Sequence, residues 1–238
     1  YTPLFAASQG GALAAFGATA TSNQRANCVR MLIAAKADME AKNQVGLTSL
    51  LSAASIGAVD RVQVLINANA NIHASDNNGL TALMWAAKSK TADTSQALIA
   101  AKADINAKTA DGNTALNLAA WWGNVDCIRI LIEARADLEA KTENGNVALL
   151  WAALGGHSEC VRFLLGAQAN IGAKNSAGDT ALSLAASLNR VKCVEVLIDA
   201  NADIDAQNNE GETALMLLSR DGDAEIVRKL MESNAKNS

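Results

Sequence analysis

The chain has 238 residues, of which half are hydrophobic, with one proline and a formal net charge of −4. Alternating runs of β-branched and aromatic residues are scarce, which argues against an all-β protein. The negative net charge argues against a nucleic-acid partner, and no apolar run is long enough to cross a bilayer.

The residues before 43 form an irregular first unit, 1–42. The step along the chain from Thr2 to Cys28 is twice as long as the corresponding step from Thr114 to Cys127. We therefore predict an insertion between the two helices of this unit. It would be as long as the step from Thr114 to Cys127, and it is rich in glycine, alanine and serine.

From residue 43 onward the sequence repeats with a period of 33. Glycine recurs at 46, 79, 112, 145, 178 and 211, and leucine follows four positions after each of these glycines. A period of about 20 to 50 residues is the signature of a solenoid, whose stacked units share one core. The pattern predicts units at 43–75, 76–108, 109–141, 142–174, 175–207 and 208–238. The last unit, with its charged second helix, is predicted to be a C-terminal cap.

Each regular unit is predicted to contain two short helices. A threonine such as Thr114 supplies the oxygen that caps the first helix, and an alanine pair such as Ala119-Ala120 allows close helix packing. A left-handed glycine is predicted to end the first helix, at 57, 123, 156 and 222, whereas the unit 76–108 has Lys90 there. The second helix has apolar residues spaced for one buried face: Cys127, Ile128, Leu131 and Ile132.

These residues resemble the ankyrin repeat, D-x-x-G-x-T-P-L-H-x-A-A-x-x-G-H followed by V-x-x-L-L and G-A-D-x-N. The resemblance extends over essentially the whole chain. It implies an all-α repeat solenoid, an ankyrin-type helix–turn–helix stack with β-hairpin fingers between repeats. About seven repeats would form a single domain over 1–238.

Two positions depart from the ankyrin pattern. Proline after the threonine survives only at Pro3. The histidine of T-P-L-H, which in the family ties the threonine to the turn between repeats, is replaced at 5, 51, 84, 117, 150, 183 and 216. We expect this loss to lower the stability of each repeat without changing the fold.

No residue pattern indicates catalysis, a metal or a cofactor. Cys28, Cys127, Cys160 and Cys193 share one position of their units, and repeats stack about 8–10 Å apart, too far for disulfides or a zinc site. They are predicted to be free thiols in the core, typical of a cytoplasmic protein. His73 and His157 fall in turns of different units, and the recurring hairpin acids Asp38, Asp104, Asp137 and Asp203 are interpreted as scaffold.

A column of lysines precedes successive units, at Lys42, Lys108, Lys141 and Lys174. One interpretation is a docking strip for an acidic partner. The interpretation that we favour is that hairpin acids such as Glu40 or Glu139 offset solvated lysines, since surface pairs contribute little.

The four tryptophans fall into two pairs. Trp85 and Trp151 share a first-helix position that is leucine at 118, 184 and 217, and they are predicted to be core. Trp121 and Trp122 follow the alanine pair, at positions that vary between units. In ankyrin proteins the matching positions and the finger tips commonly form the concave surface that partners contact. The alternative is that one indole covers the adjacent turn and the other is singly exposed without a role.

The sequence therefore predicts a protein–protein interaction module or scaffold, cytoplasmic, monomeric in isolation and not an enzyme. Its partner would be another protein, with no nucleic acid and no membrane. The predicted partner-binding residues are Trp121, Trp122, Ile56, Lys88, Leu154, Leu188, Asn113, Asn146 and Asp179. A second interpretation is that the chain is the repeat region of a larger multidomain enzyme or channel and regulates the neighbouring domain.

Overall fold

The structure, a computed structural model, describes residues 2–9, 21–218, 227, 228 and 231. The chain divides into two compact units, residues 1–110 and 111–238. Within the described ranges there are thirteen α-helices and no β-strand, which confirms the prediction of an all-α repeat solenoid. None of the helices described is long and apolar enough to span a membrane.

The helices of residues 1–110 come in pairs. They are α1 (Pro3–Gln9), α2 (Ser22–Ala34), α3 (Ser49–Ser55), α4 (Val59–Asn67), α5 (Ala82–Lys88) and α6 (Ala92–Ala100). The second unit continues the same order. Its helices are α7 (Ala115–Trp122), α8 (Val125–Glu133), α9 (Ala148–Gly155), α10 (Ser158–Gly166), α11 (Ala181–Ser187), α12 (Val191–Asp199) and α13 (Ala214–Leu218).

The first helix of a repeat begins at the predicted threonine cap. The hydroxyl oxygen of Thr114 accepts from the backbone N–H of Asn117 at 3.2 Å, and Thr48, Thr81 and Thr180 make the equivalent bond. Val147 occupies this position before α9 and makes no side-chain cap bond. Such a bond satisfies one of the free N–H groups at a helix start and stabilises it by about 1 kcal/mol.

The first helix ends in a left-handed residue, as predicted. Gly123 has φ +70° and Gly156 has φ +78°. Where the glycine is missing, Lys90 adopts the same conformation, with φ +59°. The turn is therefore kept, although a residue with a side chain is strained in the left-handed region. Gly222 lies outside the described residues.

Alanine pairs bring the first helices together. In residues 111–218, α7 packs on α9 and α9 on α11, while α3 packs on α5 in the first unit. Ala119 and Ala120 are fully buried between these helices. Of the predicted core set on α8, Cys127, Ile128 and Leu131 are buried, whereas Ile132 is half-buried.

The fingers between repeats are turns and not the predicted β-hairpins. Each finger is a tight turn closed by backbone bonds such as Thr142 N to Asn146 O at 3.0 Å, and the described residues contain one isolated bridge, between Ser75 and Thr81. Successive fingers are joined by single backbone bonds, as between the Glu143 N–H and the Asp111 carbonyl oxygen at 2.8 Å. One bond per turn is too few to build a strand ladder.

The missing histidine is replaced within unit 109–141 by an asparagine. Asn117 is buried; its Nδ2 donates to the carbonyl oxygens of Ala140 at 3.2 Å and Asn146 at 3.4 Å, and its Oδ1 accepts from the Thr114 hydroxyl at 2.5 Å. It therefore ties the threonine to the turn between repeats. In this unit the expected loss of that connection does not occur.

A buried arginine that was not predicted from the sequence is hydrogen-bonded to the end of α1. Arg61 stands at the position that is cysteine in four other units, and its Nη1 donates to the carbonyl oxygens of Ser8 at 2.6 Å and Ala7 at 3.4 Å. Burial lowers the pKa of Arg61, Arg25 lowers it further and Asp60 opposes them.

The predicted insertion between α1 and α2 and most of the predicted C-terminal cap lie outside the described residues.

Replacing a glycine by alanine is expected to have opposite effects at two positions of the second unit. At Gly123 a Cβ would lie 2.5 Å from the His157 ring in a left-handed backbone, so Gly123→Ala should lower the free energy of unfolding by about 1–2 kcal/mol. At Gly166 a Cβ would meet no atom within 4 Å, so Gly166→Ala should raise it by about 0.5–1 kcal/mol. Urea unfolding of the full chain measures both, and equal effects would contradict the assignment.

Candidate protein-binding surface

Trp121 and Trp122 are the last two residues of α7 and are both exposed. Their exposed fractions are 38% and 42%, while the preceding Ala119 and Ala120 are fully buried. Neighbours on a helix point about 100° apart, so a helix that buries its alanine pair turns the next two side chains outward. Both indoles are therefore exposed, and not one of them alone.

Trp151 supports Trp121 from the next repeat. The two rings meet edge to face, with centroids 5.1 Å apart and planes at 80°. Trp151 on α9 is half-buried, and its Nε1 is buried without a hydrogen-bond acceptor among the described residues. The prediction that Trp151 belongs to the core is wrong, because its ring also forms the wall beneath Trp121.

His157 fixes the end of α7. Its Nε2 lies 3.0 Å from the carbonyl oxygen of Trp121, which can only accept, so this nitrogen carries the proton in the contact. The ring fills the space beside Gly123, where a Cβ would meet it at 2.5 Å. His157 was predicted from the sequence only as a turn residue, and its place in the Gly-His pattern is the one sequence signal of its role beside α7.

Leucines extend the band in the two following repeats. Leu154 occupies the position of Trp121 one repeat later and is half-buried, and Leu188 occupies the position of Trp122 two repeats later and is 46% exposed. Because α7, α9 and α11 pack in that order, these side chains share one side of the stack. We call Trp121, Trp122, Leu154 and Leu188 the tryptophan surface.

The polar rim differs from the prediction. Asn146 is only 8% exposed, and its backbone N–H donates to the Thr142 hydroxyl at 3.2 Å inside the finger, so it does not belong to an exposed rim. Asp179 is half-buried, and its carboxylate accepts from Ser183 and Asn208, both at 3.3 Å. Asn113 is half-buried and keeps part of its surface in water.

The other two predicted residues belong to residues 1–110. Ile56 is 47% exposed. The Lys88 ammonium lies 4.8 Å from the centroid of the Trp85 ring, and the indole N–H of Trp85 donates to Asp76 at 3.1 Å. Trp85 is half-buried, so its assignment to the core is also wrong. A partly buried indole N–H needs a hydrogen-bond acceptor, and the carboxylate in the finger provides it.

Two lysines of the column have another role than either interpretation proposed. The ammonium groups of Lys42 and Lys174 donate to the carbonyl oxygens of Ser75 and Gln207, each at 2.9 Å and in the next finger. Glu139, which was expected to offset a lysine, accepts from the Asn170 N–H at 2.8 Å. These side chains join successive fingers.

The buried thiols are unreactive structural residues. All four cysteines are free, and Cys127, Cys160 and Cys193 are buried. Burial raises the pKa of the Cys193 thiol to about 11, against a smaller opposite effect of Arg190. Within the described ranges, no group of three or more His, Cys, Asp or Glu side chains is arranged to hold a metal ion.

Comparison with known proteins identifies the family. The family model "Ankyrin repeats (3 copies)" matches residues 17–109, 60–142, 96–175 and 149–238, so the chain belongs to the ankyrin repeat family. The crystal structure of the human ASB11 ankyrin repeat domain has the same fold, with a TM-score of 0.83 and 22% identity over 98% of each chain. The comparison with curated proteins finds no match. Ankyrin repeats are a general protein–protein interaction fold.

The contact between Trp121 and Trp151 is testable by a double-mutant cycle. Truncating Trp121, Trp151 or both to alanine should give a coupling free energy of about 0.5–1.5 kcal/mol, since edge-to-face rings stabilise each other beyond burial alone. Chemical unfolding of the four proteins measures it. Strictly additive effects would show that the two rings do not pack together in solution.

Proposed function

We propose that this protein is a recognition module that binds another protein through the tryptophan surface. The observation that supports this proposal is the exposure of two adjacent indoles, 38% and 42%, at positions whose residue type varies between repeats. Contiguous exposed apolar area of this kind is typical of an interaction site. The flanking leucines, Leu154 and Leu188, add area along the same side of the stack.

Binding energy is expected to concentrate on the two indoles. Trp is enriched among residues whose truncation costs at least about 2 kcal/mol of binding. Trp121 is also held by neighbours: Trp151 packs against its ring and His157 contacts its carbonyl oxygen. A side chain that is already ordered loses less conformational entropy when a partner covers it.

The proposed setting is the reducing cytoplasm, where the protein acts as a monomer and catalyses no reaction. The four free thiols support the compartment, because disulfides are rare there. The finger acids support a scaffold role rather than catalysis: Asp38, Asp104, Asp137 and Asp203 each accept from a backbone N–H two residues later, at 2.9–3.0 Å.

The test is quantitative capture of a partner from the source cell by the full chain and its variants. Trp121→Ala combined with Trp122→Ala should reduce capture at least about tenfold, because truncating a hot-spot residue costs about 2 kcal/mol or more. Circular dichroism should show unchanged helix content in this variant.

The matched control is Phe163→Ala. Phe163 is 39% exposed, close to the value for Trp121, but lies on the second helix α10. Capture by this variant should equal that of the wild type. If Phe163→Ala abolishes capture, or if the folded double tryptophan variant retains it, the proposed surface is wrong.

A further inference from the structure

We propose that the tryptophan surface is built for a basic apolar segment, that is, a stretch of polypeptide with Lys or Arg beside aliphatic or aromatic residues. This inference rests on the proposed function and names the chemistry of the partner. The first observation is the distribution of charge along the chain. Residues 111–238 contain 18 acidic and 11 basic residues, a net charge of −7, whereas residues 1–110 contain 6 and 9, a net charge of +3. The tryptophan surface therefore belongs to the acidic half.

The acidic residues of that half extend onto the finger turns. The four turns at 111–113, 143–146, 176–179 and 209–212 contain no Lys or Arg. Asp111 and Glu143 are exposed, precede α7 and α9, and belong to fingers joined by a backbone bond of 2.8 Å. The helices that carry Trp121 and Trp151 are thus each preceded by an exposed carboxylate. The acidic residues of the four turns are Asp111, Glu143, Asp179, Glu210 and Glu212.

Four cations of residues 111–218 are paired with acids or hydrogen-bonded, and the two that donate to neutral carbonyl oxygens keep their positive charge. Arg129 and Arg162 pair with Asp126 and Glu159 on the second helices. The Lys174 ammonium is bonded to the Gln207 carbonyl oxygen at 2.9 Å. The Arg190 Nε donates to the Leu154 oxygen at 3.3 Å. Lys141 is exposed beside the finger acids, so the exposed charge on the turns remains predominantly negative.

The indoles complement the carboxylates. The face of an indole attracts ammonium and guanidinium groups, and this chain makes such a contact internally, with Lys88 at 4.8 Å from the Trp85 ring. A partner with one cation over an indole face and another near the finger carboxylates gains from both contacts, and its apolar residues cover Leu188. Acidic segments and nucleic acids are disfavoured by the same charges.

The test is selection of random peptides displayed on phage against the full chain. A parallel selection uses the Trp121→Ala, Trp122→Ala variant, so that peptides enriched only by the wild type are those that need the tryptophan surface. These peptides should contain more Lys and Arg than the starting library, next to aliphatic or aromatic residues. A selected peptide should bind at least about tenfold more weakly at 0.5 M than at 0.05 M salt, because added salt screens exposed charges.

A pair of charge variants localises the effect. Asp111→Asn with Glu143→Gln should weaken binding of the selected peptide several-fold in fluorescence anisotropy. Glu133→Gln with Glu159→Gln removes the same charge from the exposed side of the second helices and should leave affinity within about twofold, since screening limits distant charges. Equal weakening in both variants would overturn the role of the finger carboxylates.

The remaining outcomes separate the two proposals. Peptides that depend on the tryptophans but are uncharged or acidic would overturn the inference and leave the proposed function intact. If no enriched peptide depends on the tryptophans, the proposed function fails and the inference fails with it.

Discussion

The structure depends on how each repeat provides hydrogen-bond donors for the carbonyl groups at the C-terminal end of the first helix in the repeat before it. The last carbonyl groups of a first helix have no partner in their own helix. In residues 111–218, His157 contacts the Trp121 oxygen and Arg190 donates to the Leu154 oxygen, each from the following repeat. In the first unit, the Ser89 hydroxyl donates to the Ser55 oxygen at 2.6 Å. Different side chains meet the same need, which fixes the register of neighbouring repeats within each unit.

This constraint determines which positions remain for function. The alanine pair must be buried for the first helices to approach, and the residue after the helix must turn back into the stack. The repeat does not dictate which residues stand at the two positions between them, occupied in α7 by Trp121 and Trp122. The protein places two of its four tryptophans there, which is why we assign the binding site to these positions.

The period, the threonine caps, the alanine pairs and the left-handed turns could all be predicted from the sequence, because each is a local requirement that recurs in successive repeats. The exposure of Trp121 and Trp122 followed from the same argument. The errors concern residues whose partners lie in another element. The carbonyl oxygen of Asn146 accepts from Asn117 of the preceding repeat, Trp151 is shared between core and surface, and Lys174 is bonded to the next finger. No spacing rule gives these directions, since they depend on side-chain contacts between repeats.

Hydrogen exchange of the full chain, alone and bound to the captured partner, tests the tryptophan surface most directly. Binding through this surface should slow exchange at the ends of α7, α9 and α11, around residues 120–124, 153–157 and 186–190. Exchange in the second helices α8 and α10 should remain unchanged. Protection centred on Phe163 and the groove between α8 and α10, with none at the tryptophans, would contradict it.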